Sequence, residues 1–271
     1  MLTIPFPNIN PIAIKFSAIS IHWYGIAYVF SIILGMYISQ LLEKKYKIAG
    51  IASKDFDSLV VYVVIGIIIG GRLGYIVFYM PHCIIDRPIE ILKIWHGGMS
   101  FHGGIIGVSI AIWIFCLRHK KKLLAVTDLI ACVTPIGLFF GRIANFINAE
   151  LYGKKTEVAW GVIFPNTDFE PRHPSQLYEA FTEGFLLFII MLVTIRLASV
   201  RRHVGRTSGV FLIFYSIFRI CVEIFREPDP HIGYIFNLFT LGQLLCFPML
   251  ILGIFLYSSY KKGRNIYEKI S

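Results

Sequence analysis

The sequence predicts an all-α, polytopic membrane bundle of seven transmembrane helices, and three observations predict it. Of 271 residues, 56% are apolar or aromatic and 15% are charged, against about 45–50% and about 25% in soluble domains. The apolar excess falls in runs close to the ~20 residues that cross ~30 Å of hydrocarbon. The basic residues gather on alternate connections, which sets an orientation. Mean hydropathy is +0.69, which excludes a disordered chain.

The runs lie at about 19–42, 56–80, 99–117, 127–147, 176–198, 209–226 and 236–258. Lys44, Lys45, Lys47 and Lys54 follow the first run, and Arg118, Lys120, Lys121 and Lys122 follow the third. Arg196, Arg201, Arg202 and Arg206 follow the fifth, and Lys261, Lys262, Arg264 and Lys269 the seventh. The other side carries Lys15, Arg87, Lys93, Lys154, Lys155 and Arg172. The richer side is cytoplasmic by the positive-inside rule, so the N-terminus is expected outside and the C-terminus inside. A net charge of +10 therefore reports topology here, with no nucleic-acid partner implied.

The chain reads as one integral-membrane domain over 1–271, with a small outer cap from the loops at about 81–98 and 148–175. Met1 to Ser20 lacks a basic segment followed by an apolar core and a cleavage site, so the first span is expected to remain as an anchor. The five cysteines have neither C-x-x-C nor metal-ligand spacing, so no disulfide framework, metal or other cofactor is expected. Gly66, Gly70 and Gly74, and Gly103 and Gly107, recur at four-residue spacing and are expected to let helices approach closely.

Charged groups in the membrane need a partner, a wet cavity or a task. Arg219, Glu223 and Arg226 stack on one helical face, with Tyr215 one turn earlier. One carboxylate between two guanidiniums is expected to leave positive charge for an anion, although a self-satisfied ion triplet would use the same spacing. Arg142 and Asn145 share a second face, and Asn148, Glu150 and Gly153 follow where the span emerges. An Arg fork there suits bidentate recognition of a phosphate, or snorkels to the interface.

A third stretch, His96-Gly97-Gly98-Met99-Ser100-Phe101-His102-Gly103-Gly104, enters the third span. Its two glycine pairs suggest irregular backbone at membrane depth, with His102 either a hydrogen-bonded structural residue or an acid–base group. It lacks the Lys-Ser/Thr ending of a phosphate-binding nucleotide loop. His22-Trp23-Tyr24-Gly25 opens the first span as an interfacial belt. Pro171-Arg172-His173-Pro174-Ser175-Gln176-Leu177-Tyr178-Glu179 opens the fifth, with Ser175 as its expected N-cap and His173 as a second candidate base.

Together, in order and over nearly the whole chain, these stretches resemble the prolipoprotein diacylglyceryl transferase family. Ala144 and Ala149 stand where that pattern has glycine. The resemblance implies a seven-span bacterial inner-membrane enzyme. Such an enzyme moves a diacylglyceryl group from phosphatidylglycerol to the lipobox cysteine of a prolipoprotein, forming a thioether and releasing glycerol phosphate. The partners it implies are phosphatidylglycerol, the prolipoprotein lipobox segment and membrane lipids.

On that reading His102 is the base that deprotonates the substrate thiol, and Arg142 and Arg219 stabilise the departing phosphate. Glu223 orients Arg219, and Arg226 gives structural support. Asn145, Glu150, Gly153 and His173 serve the head group or hold Arg142, and Tyr24 and Tyr215 supply hydroxyls. His102 and His173 remain alternatives for the base. A transporter or flippase would show repeats and polar groups on both sides of the midplane. An intramembrane protease would show a G-x-S-x-G elbow, a zinc His pair or paired aspartates.

Overall fold

The computed structural model describes residues 4–7, 9–16, 19–93, 97–165, 167–228, 233–235 and 238–259. His96, Asp229, Lys261, Lys262, Arg264 and Lys269 lie outside the described residues. The chain is a polytopic helical membrane protein. Among the described residues, six helices are long and apolar enough to cross a bilayer: α1 (Trp23–Tyr46), α2 (Ser53–Tyr79), α3 (Phe101–Arg118), α4 (Leu123–Ile147), α5 (Ser175–Arg196) and α7 (Leu241–Ser258). Between the last two lies α6 (Arg206–Glu223), of equal length to α7 but carrying Arg206, Arg219 and Glu223.

The first span begins later than its hydropathy suggests. Residues Ile19–His22 form a strand that pairs antiparallel with Ile12–Phe16, with Lys15 opposite Ser20 and Phe16 opposite Ile19. Ile-Ser-Ile-His alternates with period two, which suits a strand, and the helical period starts at Trp23. At its far end α1 runs on to Tyr46, with Lys44 and Lys45 in the last turn, where cations suit the helix dipole.

The chain forms two compact units, Gln40–Val126 and Met1–Ser39 with Thr127–Ser271. In the smaller unit α2 and α3 pack through the expected glycines. A Cβ added at Gly66 would stand 2.8 Å from the Gly107 carbonyl, and one at Gly74 only 2.6 Å from Gly103 Cα. Any side chain there would separate the helices. The irregular backbone is confined to Gly97 and Gly98, at φ +78° and +79°. Contrary to the expectation from two glycine pairs, Gly103 and Gly104 lie in regular α3. Gly103 is small for the sake of α2.

Arg72 of α2 is buried and organises the connection into α3. Its guanidinium donates to the carbonyls of Glu90 (2.5 Å), Ile91 (3.3 Å), Gly98 (3.4 Å) and Gly97. Ser100 N donates to the Gly71 carbonyl at 2.8 Å, and Ser100 Oγ caps α3 by accepting from Gly103 N at 3.2 Å.

In the larger unit the start of α6 is fixed by Asp128 of α4, whose carboxylate accepts from Gly205 N (2.6 Å), Ser208 N (2.7 Å) and Ser208 Oγ (2.8 Å). The connection from α4 to α5 is tied together by backbone pairs: Gly153 N to His173 O, 2.8 Å; His173 N to Lys154 O, 3.0 Å; and reciprocal Val162–Arg172 bonds of 2.9 Å. Of its aromatics, Phe164 is fully buried against Phe6, Phe146 and Tyr152, while Trp160 and Phe169 remain exposed. Helix α7 begins with a reciprocal capping box between Thr240 and Gln243.

Candidate active site

Helix α5 is regular over Ser175–Glu179, widens into a π-turn over Ala180–Leu186, and resumes over Leu187–Arg196. Such π-turns recur at functional positions. Here the turn carries Glu183, and Glu179 immediately precedes it; both are 0% exposed. Ser175 is not the N-cap of this helix. Pro174 occupies that position, and Ser175 Oγ donates instead to the Leu151 carbonyl at 3.0 Å. The hydroxyl is thus spent on tying the preceding connection to the helix.

Glu179 gathers three arginines from two neighbouring helices. Its Oε2 lies 3.1 Å from Arg142 Nε of α4. Its Oε1 accepts from Arg219 Nη1 of α6 and from Arg226 Nη1 at 3.3 Å, just past the end of α6. Glu183 reaches the same forks at longer range, 3.7 Å from Arg142 Nη2 and 3.6 Å from Arg219 Nη1. Glu223 completes the set, 2.8 Å from Arg219 Nη2. Its carboxylate packs on the first turn of α7, where a Cβ at Gly242 would meet Glu223 Oε1 at 2.9 Å; that positive helix end favours an anion.

The cluster therefore holds three guanidiniums and three carboxylates. The local excess of positive charge expected around Arg219, Glu223 and Arg226 is cancelled by Glu179 and Glu183. Helical spacing could not show this, because the compensating groups arrive from another helix. A signal was nevertheless present: a buried-span carboxylate such as Glu183, one turn after Glu179, needs cations nearby.

The remaining candidates of this unit fall around the cluster. Asn145, buried on α4, donates to Glu150 Oε1 at 2.7 Å, and Asn148 Nδ2 lies 3.3 Å from the same oxygen. The Tyr24 hydroxyl hydrogen-bonds Tyr28 at 3.1 Å and lies within electrostatic reach of Glu150 and Arg142. Tyr215 lies within the same reach of Glu183, Arg219 and Arg142.

Gly153 is buried where a Cβ would stand 2.7 Å from both the Cβ and the carbonyl oxygen of His173. The close approach of the chain at Gly153 to the chain near Arg226 explains the absence of a side chain. His173 Nδ1 lies 3.1 Å from the Tyr178 hydroxyl, and its ring packs edge-on against Phe225. Partial burial, then the Lys154 ammonium, holds its pKa below the usual imidazole value.

His102 belongs to the other compact unit, exposed in the first turn of α3 with its ring edge-on to Phe101. Among the described residues no group of three His, Cys, Asp or Glu side chains is arranged to hold a metal ion.

A family profile described as prolipoprotein diacylglyceryl transferase matches residues 11–259. Curated relatives bear the name phosphatidylglycerol–prolipoprotein diacylglyceryl transferase. That of Rickettsia bellii (strain OSU 85-389) is 53% identical over 251 residues, 93% of this chain and 95% of the relative. Those of Rickettsia felis and Rickettsia typhi are each 51% identical, over 93% and 92% of this chain and 96% of each relative. With matches of that extent, the chain belongs to the prolipoprotein diacylglyceryl transferase family.

Proposed function

We propose that Arg142 and Arg219 together grip the phosphodiester of phosphatidylglycerol while its diacylglyceryl group passes to the thiol of a prolipoprotein lipobox cysteine. The transferase activity itself follows from the family and from relatives about half identical over most of the chain. The assignment of roles rests on one observation. Two arginines from separate helices, α4 and α6, meet at the same two carboxylates on α5.

In this reading a substrate thiolate attacks the glyceryl carbon bonded to the phosphate ester oxygen. The C–S bond forms, the C–O bond breaks, and the electron pair leaves with glycerol phosphate. Charge grows on the phosphate, where preorganised guanidiniums in a water-poor site stabilise it best. Arg219 is aligned by Glu223, and Arg226 and Glu179 hold the arrangement from behind. Asn145, Glu150, Gly153, Tyr24 and Tyr215 shape the head-group site around Arg142.

A base must take the thiol proton, since a free thiol has a pKa near 8.5. We assign this to His102, with His173 as the alternative. In the bilayer α6 is the remaining span, its charges satisfied by Glu179 and Glu183. That gives seven spans, with the N-terminus outside and the C-terminus cytoplasmic in the bacterial inner membrane. The single membrane domain carries its outer cap at 81–98 and 148–175.

The test is release of glycerol phosphate from phosphatidylglycerol in micelles, with and without a lipobox peptide. Release that requires the peptide cysteine, and that fails in Arg142→Lys and Arg219→Lys, supports the reading. Lipid movement without release would favour a flippase.

A further inference from the structure

Resting on the assignment of Arg142 and Arg219 to the lipid phosphate, we infer that Glu183 takes up a proton when phosphatidylglycerol binds and delivers it to the departing phosphate. The observation is one of charge and of hydrogen bonds. Three carboxylates already balance three guanidiniums in a cluster that is buried except at Arg142, whose side chain is 17% exposed. A phosphodiester entering it adds one negative charge. An uncompensated buried charge is strongly unfavourable, and a carboxyl group responds by neutralising.

Glu183 is the carboxylate placed to do so. It is fully buried, neither of its oxygens accepts a hydrogen bond, and its ion pairs are the longest in the cluster at 3.6 and 3.7 Å. Glu179 is committed to three arginines, and Glu223 to Arg219 and the start of α7. Glu183 also faces the terminal nitrogens of both Arg142 and Arg219, the donors a phosphate would use. The other ionisable groups around it are Glu179 on its own helix, Tyr215, Arg219 and Arg226 from α6 and beyond, Arg142 from α4, and Cys246 from α7. None of the cations is surplus.

The protonated carboxyl donates a hydrogen bond to a phosphoryl oxygen. As the C–O bond breaks, the proton moves to the leaving phosphate, which departs as a monoanion. Glu183 returns to carboxylate and re-pairs with the arginines, displacing the product. The thiol proton goes separately to the base. One proton thus enters with the lipid and leaves with glycerol phosphate.

The test is calorimetric titration of the purified protein with phosphatidylglycerol in phosphatidylcholine nanodiscs, in buffers of different ionisation enthalpy. The expected result is uptake of about one proton per lipid, and a Kd that rises about tenfold per pH unit above neutrality. Infrared difference spectra of the wild-type protein should show a protonated carboxyl band appearing on binding. Glu183→Gln should bind without proton uptake or pH slope, lose the band, and turn over more slowly. Wild-type binding with no proton uptake, or uptake and band unchanged in Glu183→Gln, overturns the inference and leaves the phosphate site standing. Absence of saturable lipid binding, or binding indifferent to Arg142→Lys and Arg219→Lys, instead overturns the site.

Discussion

Arg142 Nε lies 3.1 Å from Glu179 Oε2, while the other oxygen of that carboxylate holds Arg219 and Arg226. One side chain of α5 therefore ties α4 to α6. Removing one partner of a buried ion pair leaves an uncompensated charge, at a cost of about 3–5 kcal/mol. Glu179→Ala should lower stability by that order and abolish transfer. Glu179→Gln keeps the shape without the charge and should fall between. Denaturant or thermal unfolding in micelles measures this, and an unchanged transition in Glu179→Ala would show that Glu179 is not the hub.

The two arginines should tolerate charge-preserving replacement poorly. Lysine offers a point charge on a flexible stem, whereas Arg142 here is aimed by two carboxylates at once and Arg219 by three. Arg142→Lys and Arg219→Lys should lose roughly 100- to 1,000-fold in kcat, the scale seen when one preorganised transition-state donor is removed. Both should keep most of their stability, since one ion pair survives. Steady-state transfer to a lipobox peptide checks the first statement and thermal unfolding the second.

Much of this site was legible in the sequence, because spacing on one helix is a local property. Arg219, Glu223 and Arg226 were placed together by their four- and three-residue intervals, and Asn145 and Glu150 by their crowding at one helix end. Spacing on one helix does not place Glu179 and Glu183, since the arginines they touch lie 36 or more residues away in the chain. Arg72 could be seen only as a cation in a span, because its partners are backbone carbonyls that carry no sequence signature. Hydropathy draws Ile19–His22 into the first span, because an apolar run hides a short period-two strand.

Arg72 gives a prediction for the smaller unit. Four carbonyls of the connection into α3 accept from one guanidinium, and a lysine cannot reach all of them in one plane. Arg72→Lys should lose about 1–3 kcal/mol, a typical worth for hydrogen bonds to a charged group. Amide exchange should speed up at Gly97–Ser100 while the middle of α2 stays protected. Uniform exchange over the unit would contradict a role confined to that segment.

The two candidate bases differ in setting. His173 is held below the ordinary imidazole pKa of about 6.5 by burial and then by Lys154, so it is neutral at pH 7. As pH falls below about 6.5 the unfolded chain binds this proton first, so the contribution of His173 to stability is full above that value and declines as pH drops. His173→Gln should flatten that acid-side decline and keep substantial transfer, whereas His102→Gln should lose most of kcat. Full activity in His102→Gln would move the base to His173.

Ala149 closes the link between sequence and backbone. It adopts φ +53°, the left-handed region that a Cβ disfavours. The turn Asn148–Glu150 must keep this conformation, because Glu150 N bonds the Asn145 carbonyl at 3.1 Å and the Glu150 carbonyl accepts from Gln176 at 2.6 Å. Those bonds place the Glu150 carboxylate where Asn145 reaches it. Strain at such a position exceeds the entropy that glycine adds to the unfolded chain. Ala149→Gly should therefore raise stability by about 1 kcal/mol, with transfer activity unchanged or higher. Unfolding of the two proteins side by side decides it: a loss of stability would mean that the turn relaxes out of the left-handed region in the bilayer.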